Sequence, residues 1–224
     1  KKNYSFLEVG ASAGQFLYHI KDHVDFINAI EIDDDCFEFL KTFHKIDCDN
    51  NLLCNSKFVN NKYDIICAFQ VMEHVEDPVN FLIDLKNVAK KGSKIFIEVP
   101  NIKDPLLSVW DIEKYKSFFY HNAHIHYFSE YSLKSVAIKA GFDEKNIDLK
   151  FTQDYNLLNH INWILNNSPQ PDCNIGLSEI DLKGNNLDIN FWLSHELNEL
   201  NRKYNSKLEE HKSTSNIMMR INCE

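Results

Sequence analysis

The feature that most constrains the fold is a glycine turn that separates an apolar run from an amphipathic run near the start of the chain. Phe6–Val9 predicts a short buried strand, Gly10–Gly14 a tight turn, and Gln15–His23 a helix with apolar side chains on one face. Glycine permits a positive φ and lets a ligand approach the backbone closely. Because the first turn of a helix leaves backbone N–H groups unpaired, this stretch predicts a ligand-binding loop at the end of a strand.

The polar residues of the turn limit which ligand it can hold. Glu8, Gly10, Ser12 and Gly14 form the pattern E-x-G-x-S-x-G, whereas a dinucleotide site requires G-x-G-x-x-G. An ATP site requires G-K-[ST], a triplet that does not occur in the sequence. A carboxylate at Glu8 is unfavourable beside a pyrophosphate and suits a ligand that carries positive charge or hydrogen-bond donors. These residues therefore predict a cofactor other than NAD or ATP.

A second apolar run, Ile27–Asp33, predicts a strand that ends in acidic residues. A carboxylate at Glu31 can accept two hydrogen bonds from a ribose diol, each worth about 1.5–3 kcal/mol for a charged acceptor. Alternatively, Glu31 and the acids that follow it cap the next helix, which runs to about Phe43. We assign the capping role to Asp34 and Asp35 and the ligand-binding role to Glu31.

Together with later segments, these two loops resemble the class I methyltransferases that use S-adenosylmethionine. The later segments are Phe69–Pro78, Ala89–Asn101 and His124–Ser129, and the resemblance covers about residues 4–151. It implies an α/β fold with a doubly wound, mostly parallel seven-stranded sheet of the Rossmann-like methyltransferase type, whose last strand is antiparallel. It also implies that S-adenosylmethionine is the cofactor.

The resemblance adds Ile32, Phe69 and Gln70 to the candidate cofactor-binding residues. Gln70 follows Tyr63–Phe69, an apolar run that predicts the central fourth strand. Ligands of open α/β sheets bind at the carboxyl ends of the strands. We therefore expect Gln70 to contact the methionine part of the cofactor.

Histidines supply the candidate catalytic groups. Methyl transfer from a sulfonium is an in-line displacement, and a hydroxyl acceptor also needs a base, for which histidine is suited by its reference pKa of about 6.5. His124 and His126 lie two residues apart, so in an extended segment both face the same way. We expect one of them to act as a base or to orient the methyl acceptor, and we rank His124 ahead of His126 for this role. The alternative is that either one ties its loop to the sheet.

Further polar side chains are candidates for binding the methyl acceptor. They are His74, Asn101, His121, Gln153, Tyr155 and His160. His74 has an alternative structural role in its loop, and the last three have an alternative as the polar face of a helix and its lead-in.

We expect no metal site, although a metal interpretation exists. Some methyltransferases of the ubiquinone pathway and of small-RNA 2′-O-methylation carry E-x-x-E-H as a divalent-ion site, which here reads Q-x-x-E-H because Gln70 replaces the first acid. Hard cations prefer carboxylate oxygens to a neutral amide. Glu73, His74 and His124 remain the alternative ligand set.

The organisation predicted is one methyltransferase domain over residues 1–224, with an inserted helical and loop region at about 155–210. The helix that begins at Asp77-Pro78 is expected to end at Gly92. The remaining predicted elements are strands at about 45–49, 95–99, 147–151 and 215–221, the last at an edge of the sheet, and helices at about 132–140, 157–165 and 189–210.

Composition excludes several classes of protein. The net charge of −9 and the lack of a basic block argue against a nucleic-acid partner. No run of about 18 apolar residues occurs, so no membrane span is expected. The six cysteines show no C-x-x-C spacing, and we interpret them as reduced in a cytoplasmic protein.

The function predicted is O-methylation of a small polar acceptor. The segments after the fourth strand most resemble enzymes of bacterial capsule and surface-polysaccharide biosynthesis, which implies a sugar, a nucleotide-sugar or a sugar-linked phosphoryl group. The alternatives are a C- or N-methyltransferase of quinone or amino-sugar biosynthesis, and a non-catalytic binding subunit. The apolar stripe of the C-terminal helix predicts a homodimer.

Overall fold

Seven strands form one sheet in the computed structural model, which describes residues 4–224. The strands are β1 (Ser5–Val9), β2 (Phe26–Ile30), β3 (Asp47–Asp49), β4 (Tyr63–Phe69), β5 (Ala89–Pro100), β6 (Ile147–Thr152) and β7 (Asn216–Asn222). Their order in the sheet is β3-β2-β1-β4-β5-β7-β6. β1 pairs in parallel with β2 and β4, and β4 pairs in parallel with β5. The α/β fold class predicted from the sequence is confirmed.

β7 is antiparallel, as expected, but it is not an edge strand. The backbone N–H of Cys223 donates to Ser93 (2.9 Å), whereas that of Asn101 donates to Ser215 (2.8 Å), so β7 runs opposite to β5. Its position between β5 and β6 overturns the prediction that 215–221 lies at an edge. Ile217, Met219 and Ile221 are fully buried on one face of β7, and a position between two strands also pairs the backbone N–H and C=O groups on both edges of this buried strand.

Six helices of the described residues match predicted ones and differ from them mainly at their ends, whereas the helices at Pro105–Ser108, Glu113–Phe119 and Cys173–Leu177 were not predicted. They are α1 (Gln15–Ile20), α2 (Asp34–Phe39), α3 (Pro78–Asn87), α4 (Pro105–Ser108), α5 (Glu113–Phe119), α6 (Glu130–Lys139), α7 (Leu157–Asn166), α8 (Cys173–Leu177) and α9 (Leu187–Glu210). α1 ends at Ile20 rather than His23, and α2 gives way to a π-helical turn at Leu40–His44 before reaching its predicted end.

Two predictions about helix ends are wrong. The cap of α2 is Asp33, whose carboxylate accepts from the backbone N–H of Cys36 (2.9 Å), while Asp34 and Asp35 lie inside the first turn. α3 ends at Asn87 because the chain pairs with β4 from Ala89 onward, and Gly92 lies within β5 with a φ of 80°.

The described chain divides into two compact units. The first contains residues up to Val99, Glu130–Lys150 and Met218–Glu224, and its core includes buried Leu17 and Leu40. The second contains Pro100–Ser129 and Phe151–Ile217, and therefore the whole of the predicted insertion together with α4 and α5. Its core is formed by Leu106, Tyr115, Phe119 and Trp163. A single methyltransferase domain over the whole chain stays a prediction.

Two composition-based expectations can be compared with the structure. Among residues 4–224, no helix combines the length and the apolar character that crossing a bilayer requires. All six cysteines, which belong to the described part of the chain, have free thiols.

Candidate active site

The glycine turn lies where the strand order reverses, because β1 has β2 on one side and β4 on the other. Ligands of open α/β sheets bind at such a switch point. Gly10 and Gly14 have φ values of 75° and 80°. A Cβ on Gly10 would lie 2.3 Å from Cγ2 of Val71, and one on Gly14 would lie 2.7 Å from Cδ2 of Leu40. Both positions therefore require glycine, because any larger residue would clash with the neighbouring side chains of Val71 and Leu40.

Glu31 connects the glycine turn to the end of β2. Its carboxylate accepts hydrogen bonds from the backbone N–H of Ser12 (2.5 Å) and of Asp33 (2.9 Å). The backbone N–H of Gly10 also donates to the carbonyl of Ile30 (2.8 Å). The structure thus brings Ser12, Gly10 and Glu31 together, and each carboxylate oxygen keeps a second lone pair for a ligand.

Glu8 is a buried carboxyl group beside this arrangement. Only 4% of its surface is exposed, and its Oε2 atom has no hydrogen-bond partner among the described residues. Burial, and secondarily the negative charge of Glu31, raises the pKa of Glu8 to about 8. A buried polar atom without a partner is costly, so a ligand that supplies a hydrogen-bond donor or a positive charge fits this position.

A pocket of about 390 Å³ opens at the ends of β1 and β2. Its volume lies within the range of small-molecule sites, about 300–1,000 Å³. Of the predicted site residues, Gly10, Ile32 and His74 line it. We call it the switch-point pocket. Its other lining residues are Val9, Ile30, Leu52, Leu53, Cys54, Val71, Val75, Glu76, Asp77, Asn80, Phe81 and Asp84.

Sequence reasoning missed the wall formed by Leu52, Leu53 and Cys54. These residues follow β3, and Leu53 begins a 3₁₀ turn. Their irregular pattern gives no periodic signal. They could have been predicted from their position directly after the third strand, because ligands of open α/β sheets bind at the carboxyl ends of the strands.

Phe69 and Gln70 lie at the end of β4, as predicted. Phe69 packs edge-on against Phe16, with ring centroids 5.1 Å apart. Gln70 has a φ of 56°, and its Nε2 donates to the carboxylate of Glu98 (3.3 Å). Within the described chain, neither residue lines the switch-point pocket, and their contacts with a cofactor stay predictions.

A second buried acid, Glu73, follows Gln70. Only 1% of its surface is exposed, and burial raises its pKa to about 7. Its Oε1 lies 3.9 Å from Nε2 of His74. The sequence indicated Glu73 only as an alternative metal ligand, and its burial comes from the short 3₁₀ turn Met72–His74.

In the second unit, two of the predicted histidines lie in contact. The ring centroids of His121 and His124 are 3.9 Å apart, and Tyr127 packs against the ring of His124 at 5.8 Å. The ring of His126 instead packs near Phe128, at 6.1 Å. The structure therefore groups His121 with His124 and gives His126 a different neighbour.

Two of the predicted acceptor-binding residues make extensive internal hydrogen bonds. Asn101 is buried, and its side chain donates to the carbonyl of Lys212 (3.1 Å) and accepts from the N–H of Lys103 (3.0 Å). Gln153 accepts from the N–H of Ser215 (3.0 Å). These contacts favour a structural role for both side chains, and binding of an acceptor by them stays a prediction.

His160 and Tyr155, by contrast, line a second cavity of about 100 Å³. Nδ1 of His160 lies 2.8 Å from the hydroxyl of Tyr204, and burial lowers the pKa of His160 to about 4. We call this space the aromatic cavity. Its lining residues are Leu106, Tyr115, Phe118, Tyr155, Asn159, His160, Trp163, Pro169, Gln170 and Cys173.

A family model described as a methyltransferase domain matches residues 1–145. The chain belongs to this methyltransferase family. Membership confirms the predicted class of enzyme, a methyltransferase with S-adenosylmethionine as methyl donor. It does not bear on the resemblance to polysaccharide-pathway enzymes.

Solved structures with the same fold include other methyltransferases. One is a SAM-dependent methyltransferase from Archaeoglobus fulgidus, with a TM-score of 0.61, 16% identity, and coverage of 99% of this chain and 87% of that one. Another is phosphoethanolamine N-methyltransferase 2 from Haemonchus contortus, in complex with phosphomonomethylethanolamine and S-adenosylhomocysteine (TM-score 0.60, 16% identity, 100% and 50% coverage). The YcgJ protein of Bacillus subtilis has a TM-score of 0.57 and 13% identity, with coverage of 100% of this chain and 94% of that one.

At these identities the likeness concerns the fold. The comparison with curated proteins gives no match.

The residues of the methyltransferase site fit its cofactor chemically. S-adenosylmethionine carries an ammonium group, a sulfonium and a ribose diol. The Glu8 carboxyl group without a partner suits the positive charge, and the remaining lone pairs of Glu31 suit the diol.

Proposed function

We propose that the chain is a cytoplasmic S-adenosylmethionine-dependent O-methyltransferase whose acceptor is a small polar molecule. The acceptor class is a sugar, a nucleotide-sugar or a sugar-linked phosphoryl group of capsule or surface-polysaccharide biosynthesis. The observation that carries the cofactor assignment is the pair of buried carboxyl groups, Glu8 and Glu31, at the glycine turn. The histidine pair supports an oxygen acceptor, because a hydroxyl must lose a proton.

The roles of the residues follow from their chemistry. When bound, S-adenosylmethionine supplies an electrophilic methyl group on a sulfonium. Glu8, which is mostly protonated at pH 7 in the ligand-free protein, releases its proton to solvent as the ligand binds and then pairs with the positive charge of the amino-acid part. Glu31 accepts hydrogen bonds from the ribose while it keeps its bond from Ser12. His124 takes the proton from the acceptor hydroxyl. Holding two reactants aligned lowers a barrier by about 7–11 kcal/mol, which makes positioning the main contribution of the protein.

Two other functions are outcomes of the same test. A C- or N-methyltransferase of quinone or amino-sugar biosynthesis would use the same cofactor site. A binding subunit would hold the cofactor and transfer nothing.

The test is methyl transfer from labelled S-adenosylmethionine to a panel of nucleotide-sugars, quinone precursors and amines, with product analysis. We expect an O-methylated sugar product, and His124→Ala should slow turnover by about 10²–10⁴-fold, the usual contribution of a general base. His195→Ala, at an exposed histidine of α9, is the matched control.

The alternatives have distinct outcomes in this experiment. A methylated carbon or nitrogen refutes O-methylation. Full turnover in His124→Ala removes His124 as the base. Binding of S-adenosylhomocysteine without transfer to any acceptor supports the binding subunit.

We also propose a homodimer formed through α9. Phe191 and Trp192 near the start of this helix are 80% and 60% exposed, whereas Leu208 near its end is buried. An apolar surface of this kind favours a protein partner.

A further inference from the structure

The aromatic cavity of the second unit contains polar groups that converge at one point. Asn159 Nδ2 donates to Oε1 of Gln170 (3.2 Å). A Cβ on Gly176 would lie 2.9 Å from the ring of Tyr155 and 3.0 Å from both side-chain amides. The three polar side chains therefore gather around a residue that must stay small.

The convergence leaves a complementary pair of hydrogen-bonding groups. Among the described residues, no hydrogen bond involves Oδ1 of Asn159 or Nε2 of Gln170, so the two bonded side-chain amides keep one acceptor and one donor for a ligand. Tyr155 accepts a hydrogen bond at its backbone carbonyl from Nε2 of Gln153 (3.0 Å), and its hydroxyl has no hydrogen bond within residues 4–224. A ligand with one carbonyl oxygen and one N–H group matches this pair.

The cavity is electrically neutral. Within residues 4–224, no Asp, Glu, Lys or Arg side chain lines it. His160, the titratable imidazole in its wall, is neutral near pH 7 because burial lowers its pKa to about 4. A phosphate or an ammonium group would lose its hydration here without gaining an opposite charge, so the cavity selects against both.

Size and wall composition narrow the ligand further. An apolar cavity of about 150 Å³ holds a benzene molecule, so one of about 100 Å³ accommodates a smaller group. Phe118 and Trp163 supply aromatic surface, and their ring centroids are 5.9 Å apart. Aromatic walls favour contact with a methyl group or another small apolar group.

We infer that the aromatic cavity binds a neutral amide substituent of the methyl acceptor, of the kind found in an N-acetylated amino sugar. The acetyl methyl group contacts the aromatic wall, the carbonyl accepts from Gln170, and the N–H donates to Asn159. The assignment of this group to the methyl acceptor rests on the proposed function. Any phosphoryl group of the acceptor lies outside this cavity.

The test is saturation-transfer NMR on the full chain with N-acetyl-D-glucosamine, D-glucosamine and D-glucose as separate probes. We expect binding of the N-acetylated sugar with the strongest saturation at its acetyl methyl group. The charged amine of glucosamine and the unsubstituted glucose should give little saturation. Equal saturation of the three sugars, or saturation confined to the ring protons, would overturn the inference.

Two variants test the position of the bound group. Gln170→Glu places a carboxylate at the donor position and should weaken binding of N-acetyl-D-glucosamine at least about tenfold, since burying an unpaired charge is costly. Gly176→Ala should weaken it by displacing Tyr155 and both amides. Asn166→Asp, at the exposed end of α7, adds the same charge outside the cavity and should leave binding unchanged.

Folding and cofactor binding are measured on the same samples. A thermal melt identifies a variant that fails to fold, and the other cavity variant then carries the test. Titration with S-adenosylhomocysteine separates the two proposals. If this ligand binds and the acetylated sugar does not, the cavity inference fails alone. If the sugar binds and S-adenosylhomocysteine does not, the proposed function fails, and with it the assignment of the amide to a methyl acceptor.

Discussion

At the scale of single residues, the two buried carboxyl groups at the glycine turn, Glu31 and Glu8, have different roles. Glu31 accepts two backbone hydrogen bonds and stabilises the loop, while Glu8 is buried with one oxygen that has no partner among residues 4–224. The first side chain organises the site, and the second is available to a positively charged ligand. These roles predict different consequences for the two substitutions.

We predict that Glu31→Ala weakens the binding of S-adenosylhomocysteine about tenfold, which corresponds to about 1.4 kcal/mol. The variant loses the ribose contact and releases the N–H of Ser12. Isothermal titration calorimetry measures the change. Glu38→Ala, at an exposed glutamate of α2, is the control and should bind like the parent protein. An unchanged affinity in Glu31→Ala would remove Glu31 from the site.

We predict that Glu8→Gln makes the ligand-free protein more stable at alkaline pH. The pKa of Glu8 rises from 4.5 to about 8 on folding, so the folded state holds the proton more tightly. That contribution to the free energy of unfolding is complete below pH 4.5 and is lost as the pH rises through about 8. The amide introduced by the substitution stays neutral at every pH and therefore avoids this loss.

Urea unfolding at pH 4.5 and pH 9 measures this difference. Glu8→Gln should match the parent at the lower pH and exceed it by at least about 1 kcal/mol at the higher one, because each unit of pKa shift corresponds to about 1.4 kcal/mol. Glu38→Gln controls for the loss of an exposed charge. Parallel curves for Glu8→Gln and its parent would show that Glu8 titrates normally.

At the scale of secondary structure, helix starts were predicted better than helix ends. Asp77 caps α3 by accepting from the N–H groups of Val79 and Asn80, both at 3.0 Å, and Pro78 occupies the first turn, as expected. The predicted end of α3 at Gly92 was wrong because the pairing of Ala89 with β4 outweighs the local preference of a helix to end at a glycine. A cap depends on neighbours in sequence, whereas a strand boundary depends on its partner.

We predict that Asp77→Ala lowers the free energy of unfolding by about 1 kcal/mol, the usual cost of losing an N-cap. Asp77→Asn retains a capping oxygen and should cost only a few tenths of that. Chemical denaturation of the three proteins at pH 7 provides the comparison. Equal losses in both variants would mean that the charge of Asp77, rather than its cap, supports the helix.

At the scale of the whole molecule, the exposed apolar start of α9 is the feature that the fold leaves uncovered. Leu187, Phe191 and Trp192 are 79%, 80% and 60% exposed, whereas Leu208 is 5% exposed. Of the stripe predicted from the sequence, Trp192 is thus open and Leu208 is packed, and Leu187 and Phe191 add exposed apolar surface outside that stripe. The open part supports the proposed homodimer.

We predict that Trp192→Asp shifts the protein from dimer to monomer, because a charge in an apolar interface loses its hydration without a partner. Light scattering after size-exclusion chromatography over a range of concentrations measures the mass. Tyr131→Asp, at an 81% exposed tyrosine of α6, is the control. A parent protein that is monomeric at every concentration would refute the homodimer.

By itself, the sequence determined the class of fold, the glycine turn, the strand β4 and the family of the enzyme, because each depends on spacing between residues that are close along the chain. Only the tertiary structure decided that Glu31 bonds to Ser12, that burial changes the proton affinity of Glu8, and that β7 lies inside the sheet. The aromatic cavity likewise joins Leu106 to Cys173. Such contacts connect residues far apart in sequence, and desolvation depends on everything packed around a group, so no local pattern specifies either.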